Sequence, residues 1–163
     1  MKKFELTNEF ITNRFETKLF RIRALVEFGD VEAGELGGYV EKESNLGHDD
    51  NAWVYDNAWV YGNAQVSGDA RVCGDARVCG NGDYAYAHGF GSVNRTTTFF
   101  RLKDGGVGVR CGCFYGTLAQ FRDKIRETHG ETKKAQEYLM LADLMELRFE
   151  EDENEVGNRK YVE

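Results

Sequence analysis

The side chains of this protein that are best suited to acid–base chemistry belong to its three histidines, His48, His88 and His129. A histidine acts as a general base only when it lies within hydrogen-bond reach of the group that it deprotonates. His129 precedes Gly130 at a predicted helix end, where its partial positive charge suits the helix dipole, and His88 falls at an inward position of a repeat. Only His48 lies in a predicted loop that projects from the body, so it is the candidate for a catalytic base.

The four cysteines, Cys73, Cys79, Cys111 and Cys113, are the candidates for metal or disulfide chemistry. Cys111 and Cys113 are two residues apart on a predicted strand and point the same way, so a disulfide between them is geometrically poor. Zinc bound by four thiolates is one alternative, but neither spacing matches the usual Cys-x2-Cys pattern. We therefore predict reduced cysteines, no metal site and no cofactor.

A repeat of six residues must position many of these side chains. The triplet Ala-x-Val recurs five times between residues 52 and 78, and Gly, Asn or Asp residues, which accept the backbone conformations of tight corners, lie between the triplets. Each unit is predicted to be a short strand followed by a corner, with its Ala and Val on the inner face. One unit cannot bury that face alone, so the units are expected to stack.

The sequence divides into four segments. Residues 1–33 are predicted to form an N-terminal β cap that covers one open end of the repeat stack, and residues 34–96 to form the repeat body. Residues 97–149 are predicted to form a β-hairpin and two helices that serve oligomerisation or capping, and residues 150–163 a flexible tail. Within the body, residues 48–50 are expected to bulge outward.

Three finer predictions follow from the pattern beyond the fifth triplet. Tyr84 and Phe90 continue the valine register, so the repeat is expected to decay through residue 90. Thr117 begins a capping box that opens the first helix. The second helix starts after Thr132 and ends near Phe149, and its apolar surface is wider than a lone surface helix needs. It either packs on a partner subunit or lies sunk between the hairpin and the repeats.

The net charge of −7 argues against direct binding to nucleic acid, because an acidic surface repels phosphate unless its basic residues are clustered. Here Lys and Arg are scattered along the chain. No apolar run approaches the length of a membrane span, and the first residues lack the apolar stretch of a signal peptide. We therefore predict a cytoplasmic protein with neither membrane nor nucleic acid as a partner.

Units such as Val-Tyr-Gly-Asn-Ala-Gln and Val-Ser-Gly-Asp-Ala-Arg resemble those of the hexapeptide-repeat proteins. That resemblance implies a mainly β fold, a left-handed parallel β-helix with three hexapeptides per coil, followed here by the β-hairpin and two C-terminal α-helices. Many proteins of that family are trimeric acyltransferases that use acyl-CoA and a histidine base. The resemblance therefore implies one alternative function, with His48 as the base.

The segment Gly112-Cys113-Phe114-Tyr115-Gly116-Thr117-Leu118 after the repeats is similar to one in small phage and prophage proteins with hexapeptide repeats. Those proteins are mostly of unassigned function. The resemblance implies a phage setting, and hence the cytoplasm of a host cell, without implying an activity.

With three units per coil, residues eighteen apart are expected to stack, which predicts one outer patch of aromatic and arginine side chains. Rings stack on bases, and guanidinium groups pair with phosphates. The predicted ligand-binding residues are Trp53, Tyr55, Trp59, Tyr61, Arg71 and Arg77. The alternative is that the N-terminal segment or another subunit covers this patch.

These observations favour a protein that is not an enzyme and that acts by binding. Its predicted form is a homo-oligomer, with a trimer favoured. We hypothesise that it counters host defence, either by sequestering a small nucleotide-like signal or by blocking a host defence protein. Two alternatives are a trimeric acyltransferase and a structural or scaffold β-helix.

Overall fold

The computed structural model describes residues 2–93 and 95–150. They form eleven strands and two α-helices, with 3-10 turns at Glu43–Asn45 and Asn81–Asp83. The strands are β1 (Phe4–Thr12), β2 (Lys18–Ala24), β3 (Leu36–Val40), β4 (Trp53–Val54), β5 (Trp59–Val60), β6 (Arg71–Val72), β7 (Arg77–Val78), β8 (Tyr84–Phe90), β9 (Arg95–Arg101), β10 (Val107–Cys111) and β11 (Phe114–Thr117). The helices are α1 (Leu118–His129) and α2 (Lys133–Arg148). Apart from Glu150, the predicted flexible tail of residues 150–163 lies outside the described residues.

The strands divide into three sheets. One has the order β1-β2-β3-β5-β7, a second has the order β11-β10-β9-β8, and β4 pairs with β6 in the third. The predicted fold class, a mainly β left-handed parallel β-helix, is wrong, because the described chain is a mixed α/β protein with separate sheets. The repeats supply strands of only two residues each, whereas the longer flanking strands pair antiparallel and supply most of the strand residues.

The Ala and Val residues of the repeats lie inside, as the period of six predicts. All ten of them, from Ala52 to Val78, are buried, and they belong to one core cluster. Units eighteen residues apart pair in parallel, which brings Trp53 beside Arg71 and Trp59 beside Arg77. The expected vertical register of these two pairs is therefore confirmed.

The hairpin of β1 and β2 joins the first sheet through β2, which pairs antiparallel with β3. Two glycines allow β3 to lie close to the backbone of residues 54–58 in the next layer of the core. A Cβ on Gly38 would lie 2.6 Å from the carbonyl oxygen of Ala58, and one on Gly37 would lie 2.6 Å from that of Val54. Both distances are far shorter than a normal contact, so glycine is required at both positions.

A buried lysine ties the N-terminal segment to the loop that follows Leu46. The Lys3 Nζ donates to the carbonyl oxygens of Asp50 (3.0 Å) and Ala52 (2.6 Å), and it pairs with Asp50 Oδ1 at 3.2 Å. It also lies 4.6 Å from the centre of the Phe28 ring. Burial lowers the pKa of Lys3, although the hydrogen bond and the charge of Asp50 oppose that shift. The loop that was expected to bulge outward is thus held against β1.

The second sheet begins where the repeats end. Residues Tyr84–Phe90 were expected to continue the repeat, but they form β8, which pairs antiparallel with β9. His88 is consequently exposed rather than inward, and its Nδ1 lies 2.7 Å from the Thr96 hydroxyl. The predicted hairpin after residue 97 is confirmed as β9 and β10, which pair antiparallel. A further reversal at Gly112 and Cys113, which was not predicted, precedes β11.

Both helices begin at the predicted caps. The Thr117 hydroxyl accepts the Gln120 backbone N–H at 3.2 Å, while the Gln120 side chain accepts that of Thr117 at 2.9 Å, so the capping box is confirmed. The Thr132 hydroxyl caps α2 by accepting the Ala135 backbone N–H at 3.3 Å, without a reciprocal side-chain bond. The helices pack on the second sheet in a cluster that includes Phe99, Phe121 and Tyr138. Within the described part of the chain, neither helix has the length and apolar composition needed to cross a bilayer.

Candidate functional site

The six residues of the predicted ligand patch do not form one open surface. Trp53 is fully buried, and the edges or faces of Phe4 and Phe28 contact its ring, with centroids 6.3 Å and 5.2 Å away. Both phenylalanines belong to the N-terminal part of the chain. Trp53 is therefore a core residue in this structure, and its indole face is not accessible to a ligand.

Tyr55 and Arg71 lie close together but are held by the same carboxylate. The Tyr55 hydroxyl donates to Asp30 Oδ1 at 2.9 Å, and the Arg71 Nη1 donates to Asp30 Oδ2 at 3.2 Å. The guanidinium of Arg110 covers the Tyr55 ring at 4.3 Å from its centre. Burial, followed by the hydrogen bond to Asp30, raises the pKa of Tyr55. The cation and the ring that were expected to meet a ligand therefore meet other side chains.

Trp59, Tyr61 and Arg77 are brought together on the first sheet. The Arg77 guanidinium lies 3.8 Å from the centre of the Trp59 ring, and the Tyr61 ring meets Trp59 edge-on at 6.4 Å. Tyr61 and Arg77 are buried, while Trp59 is half-buried. One face of Trp59 is thus already occupied by a cation of the same chain.

The candidate base His48 does not project toward a neighbour. Its Nδ1 accepts the backbone N–H of Lys3 at 3.1 Å, and its ring stacks on Phe4 with centroids 4.3 Å apart and planes within 7°. The prediction that His48 projects from the body is wrong, because Lys3 and Phe4 hold its ring against β1. The two extra residues that were expected in this loop are present, since Leu46 pairs with Val66 at a separation of twenty residues and Trp53 with Arg71 at eighteen. In this position His48 supports the packing of the N-terminal strand.

A different cavity combines apolar rings with charged groups. It has a volume of about 230 Å³ and lies between the turn that joins β10 to β11, the start of β9 and the two helices. Its lining is formed by Ser92, Arg95, Cys111, Cys113, Phe114, Phe121, Lys124, Ile125, Thr128, His129 and Tyr138. We call this cavity the helix pocket. None of its residues belongs to the predicted ligand patch.

Helical spacing explains how α1 contributes one wall of the helix pocket. Phe121, Lys124, Ile125 and Thr128 recur at intervals of three and four residues, so they share one face of the helix. His129 is the last residue of α1, and Gly130 ends the helix with a positive φ of 61°, as predicted. Phe121 and Ile125 are buried in this wall, whereas Lys124 and Thr128 line the helix pocket from exposed positions.

The sharp turn between β10 and β11 supplies the opposite wall. Gly112 adopts a φ of 61°, and the Arg95 guanidinium lies directly over it, where a Cβ would collide with Arg95 Nη1. This turn corrects the prediction that Cys111 and Cys113 lie on one strand. Cys111 ends β10 and is half-buried, whereas Cys113 is in the turn and is exposed.

The floor of the helix pocket is a polar contact between Cys111 and Tyr138. The Thr97 hydroxyl donates to the Cys111 Sγ at 3.3 Å, and the Tyr138 hydroxyl lies 3.7 Å from the same sulfur. The His129 ring stacks on the Tyr138 ring, with centroids 5.9 Å apart. Burial, and then the hydrogen bond with Cys111, raises the pKa of Tyr138. The floor therefore includes a phenol hydroxyl that stays neutral.

The ionisable groups at the mouth of the helix pocket favour anions. Arg95, Lys124 and His129 line it, and no carboxylate side chain is among the described residues that do so. Neither Arg95 nor Lys124 forms an ion pair with a described acidic residue. The chain as a whole has a net charge of −7, so a lining with basic but no acidic side chains differs from the rest of the protein. A cationic mouth with aromatic walls attracts a small anion that carries a ring.

The remaining cysteines are structural. Cys73 is buried, and burial raises the pKa of its thiol to about 11 from an ordinary 9.0. Cys79 donates through its Sγ to Asp83 Oδ2 at 3.2 Å. Across the described residues, no three His, Cys, Asp or Glu side chains are grouped so that they would hold a metal ion.

Cys73 is expected to make the protein less stable at alkaline pH. Between pH 9 and pH 11 the unfolded chain loses a thiol proton that the folded chain keeps, so the stability present below pH 9 falls by about 2–3 kcal/mol. Urea unfolding of the wild type and Cys73→Ala at both ends of this interval measures the effect. The wild type should lose this amount more than the variant, and equal losses would show that Cys73 plays no part.

The sequence contained one weak signal for the helix pocket. Lys124 lies beside the apolar stripe formed by Phe121 and Ile125, but its side chain is exposed, as is common for a lysine on a surface helix. Arg95, Cys111 and Tyr138 gave no comparable signal, because they come from separate elements that only the folded chain brings together. No protein-family model matches this chain, and no curated protein matches it either.

Proposed function

We propose that this protein acts by binding rather than by catalysis, and that its ligand is a small anion with a flat ring, such as a nucleotide-like signal molecule. The observation that carries this proposal is the lining of the helix pocket. Aromatic side chains, Phe114 and Phe121 among them, form its walls, and Arg95, Lys124 and His129 are its basic groups. Rings offer stacking surfaces, and the cations pair with phosphate.

The size of the helix pocket limits what it can enclose. A volume of about 230 Å³ is below the range of about 300–1,000 Å³ that is usual for drug-sized ligands. It therefore encloses one ring, or one end of a larger molecule whose remainder lies in solvent. In the phage setting that the sequence resemblance implies, such a binder would lower the free concentration of a host signal. It would need no catalytic group to do so.

The contacts of His48 support a binding function over the acyltransferase alternative. A general base must be free to approach its substrate, whereas the His48 ring stacks on Phe4 and its Nδ1 accepts a backbone N–H. If the acyltransferase alternative were correct, His48→Ala would abolish turnover of acetyl-CoA. If the protein acts only by binding, neither the wild type nor His48→Ala should turn over acetyl-CoA.

Binding of 5′-mononucleotides to the purified protein tests the proposal. We expect saturable binding by calorimetry, and about a tenfold weaker affinity in Lys124→Ala, because a charge-assisted hydrogen bond contributes about 1.5–3 kcal/mol and 1.4 kcal/mol equals a factor of ten. Lys103→Ala, which removes an exposed lysine that lies outside the helix pocket and outside α2, is the matched control. Adenine and ribose 5-phosphate, tested separately, would show which end of the nucleotide the pocket holds.

Two results would overturn the proposal. One is that no mononucleotide binds at millimolar concentration. The other is that binding is equally strong in Lys124→Ala and Arg95→Ala, which would place the ligand elsewhere. If nucleotides fail but a host protein is retained on the wild type and lost from both variants, blocking of a host defence protein becomes the better hypothesis.

A further inference from the structure

The outer face of α2 carries an apolar seam. Three of its apolar side chains are largely exposed, Met140 at 71%, Leu144 at 54% and Leu147 at 67%. They are separated by four and three residues, which is the spacing of the contact positions in a coiled coil. The opposite face of α2 is already packed, because Ala135, Tyr138, Ala142 and Met145 are buried. The helix is therefore apolar on two faces, and among the described residues only one of these faces is packed.

A shallow groove widens this seam. It has a volume of about 440 Å³ and is lined by Phe90, Glu137, Met140, Leu141 and Leu144. Monomeric proteins rarely expose contiguous apolar surface of this kind without a partner. The groove is separate from the helix pocket, since the two share none of their lining residues.

The charges at the ends of α2 identify the partner. Lys133 extends the seam at the N-terminal end of the helix, and Glu150 lies just beyond its C-terminal end; both are exposed. The helix dipole favours the opposite arrangement, with acidic side chains at the N-terminus and basic ones at the C-terminus. Arg148 in the last turn of α2 follows this preference, whereas Lys133 and Glu150 do not. The placement of Lys133 and Glu150 suits a second helix of the same sequence that runs in the opposite direction.

We propose that α2 pairs with α2 of a second copy of this chain, antiparallel across a twofold axis that passes between the levels of Leu141 and Ala142. In that register Lys133 of each copy is level with Glu150 of the other. Met140 and Leu144 lie near the axis, where they interdigitate with the same residues of the second copy. The interface is isologous, as in most homodimers.

A twofold arrangement also explains why a trimer, which the sequence favoured, fits this seam less well. Around a threefold axis the three α2 helices would run parallel, and their Lys133 side chains would meet one another. The antiparallel dimer replaces this repulsion with two equivalent Lys133–Glu150 pairs and sets the two helix dipoles in opposition. The proposed partner is thus a single second copy, independent of any ligand in the helix pocket.

Sedimentation of the full chain over a range of concentrations tests the apolar part of the interface. The wild type should approach a dimer as concentration rises, and Leu144→Glu should remain a monomer with an unchanged circular dichroism spectrum. Leu36→Glu is the matched control, because Leu36 is 52% exposed but lies on β3. A wild type that is monomeric throughout, or a control that dissociates as readily as Leu144→Glu, would overturn the proposal.

Charge reversal tests the direction of the helices. Lys133→Glu breaks two equivalent pairs per dimer, so it should weaken association by about tenfold at low salt, and Glu150→Lys should do the same. The double variant Lys133→Glu/Glu150→Lys should recover the affinity of the wild type. Failure to recover would exclude the antiparallel register. Nucleotide binding should also be measured on Leu144→Glu. Because this substitution lies outside the helix pocket, the result tells failure of the dimer proposal apart from failure of the ligand proposal.

Discussion

Replacing Arg101 by methionine is expected to lower the free energy of unfolding by about 3–5 kcal/mol, because it removes one partner of a buried ion pair. Arg101 and Asp83 are both buried, and the Arg101 Nε lies 3.7 Å from Asp83 Oδ1. The Arg101 Nη1 also donates to the carbonyl oxygens of Gly105 (3.2 Å) and Phe149 (3.0 Å). One guanidinium therefore joins β9, the end of the repeats and the C-terminal end of α2.

Methionine retains much of the volume of arginine but leaves the Asp83 carboxylate without this cation. Asp83 would keep the backbone N–H of Cys79, which donates to its Oδ2 at 3.0 Å. Urea unfolding followed by circular dichroism measures the loss. Arg126→Met is the matched control, because its partner Asp123 and Arg126 itself are largely exposed, and such pairs contribute about 0–1 kcal/mol.

A second substitution sharpens this test. Asp83→Asn in the Arg101→Met background removes the carboxylate charge that had paired with Arg101, so it should restore part of the lost stability. If Arg101→Met costs no more than Arg126→Met, the buried pair is not a major source of stability. If the double variant is less stable than Arg101→Met, the carboxylate has a role that the pair does not explain.

The second large effect is expected at Gly38. In Gly38→Ala the added Cβ would lie 2.6 Å from the carbonyl oxygen of Ala58 and 2.7 Å from Val54 Cγ1. The first of these is backbone, which cannot rotate away, so β3 would have to separate from β5. Overpacking of this kind costs about 3 kcal/mol, and loss of the β3–β5 pairing would add to it.

Gly80→Ala is the control that separates the steric clash at Gly38 from the general effect of replacing glycine by alanine. No atom lies within 4 Å of a Cβ built on Gly80, and its φ of −159° is an extended conformation that alanine adopts. We expect its stability to stay within about 0.5 kcal/mol of the wild type. The two melting curves, recorded side by side, compare the same chemical change at a crowded and an open position. Similar curves would mean that β3 is not packed as closely as described.

The local features of this chain were predicted from its sequence because they depend on neighbouring residues. Alternation placed Ala and Val inward at every unit, and the side chains of Thr117 and Thr132 marked the helix starts. Each of these signals is complete within a few residues. Sequence alone was sufficient for them.

The fold class was wrong because a short period says which face of a strand is buried but not which strand lies beside it. Tyr84 and Phe90 keep the spacing of the repeats, yet their segment pairs with β9. Pairing of β8 with β9 is decided by the reversal between Phe90 and Arg95 and by the apolar residues of both strands. The same spacing therefore fits a stacked unit and an antiparallel strand.

The predicted ligand patch failed for a related reason. Outward position on a repeat was taken to mean exposure, whereas Phe4 and Phe28 cover Trp53 from segments about fifty and twenty-five residues away. Propensity and spacing carry no information on such contacts. The helix pocket was missed because its walls come from β9, β10, α1 and α2, and Lys124 gave only a weak signal within its own element.

The Lys3 contacts bear on the order in which parts of the chain can pack during synthesis. β1 and β2 are made before the repeats, and their hairpin is local. Among the described residues, the acceptors of the Lys3 ammonium lie on Asp50 and Ala52. Until those residues emerge, the cation must stay in water, because burying it alone is costly. β1 is therefore locked in place by a loop that is made later, so its burial depends on the arrival of the first repeats.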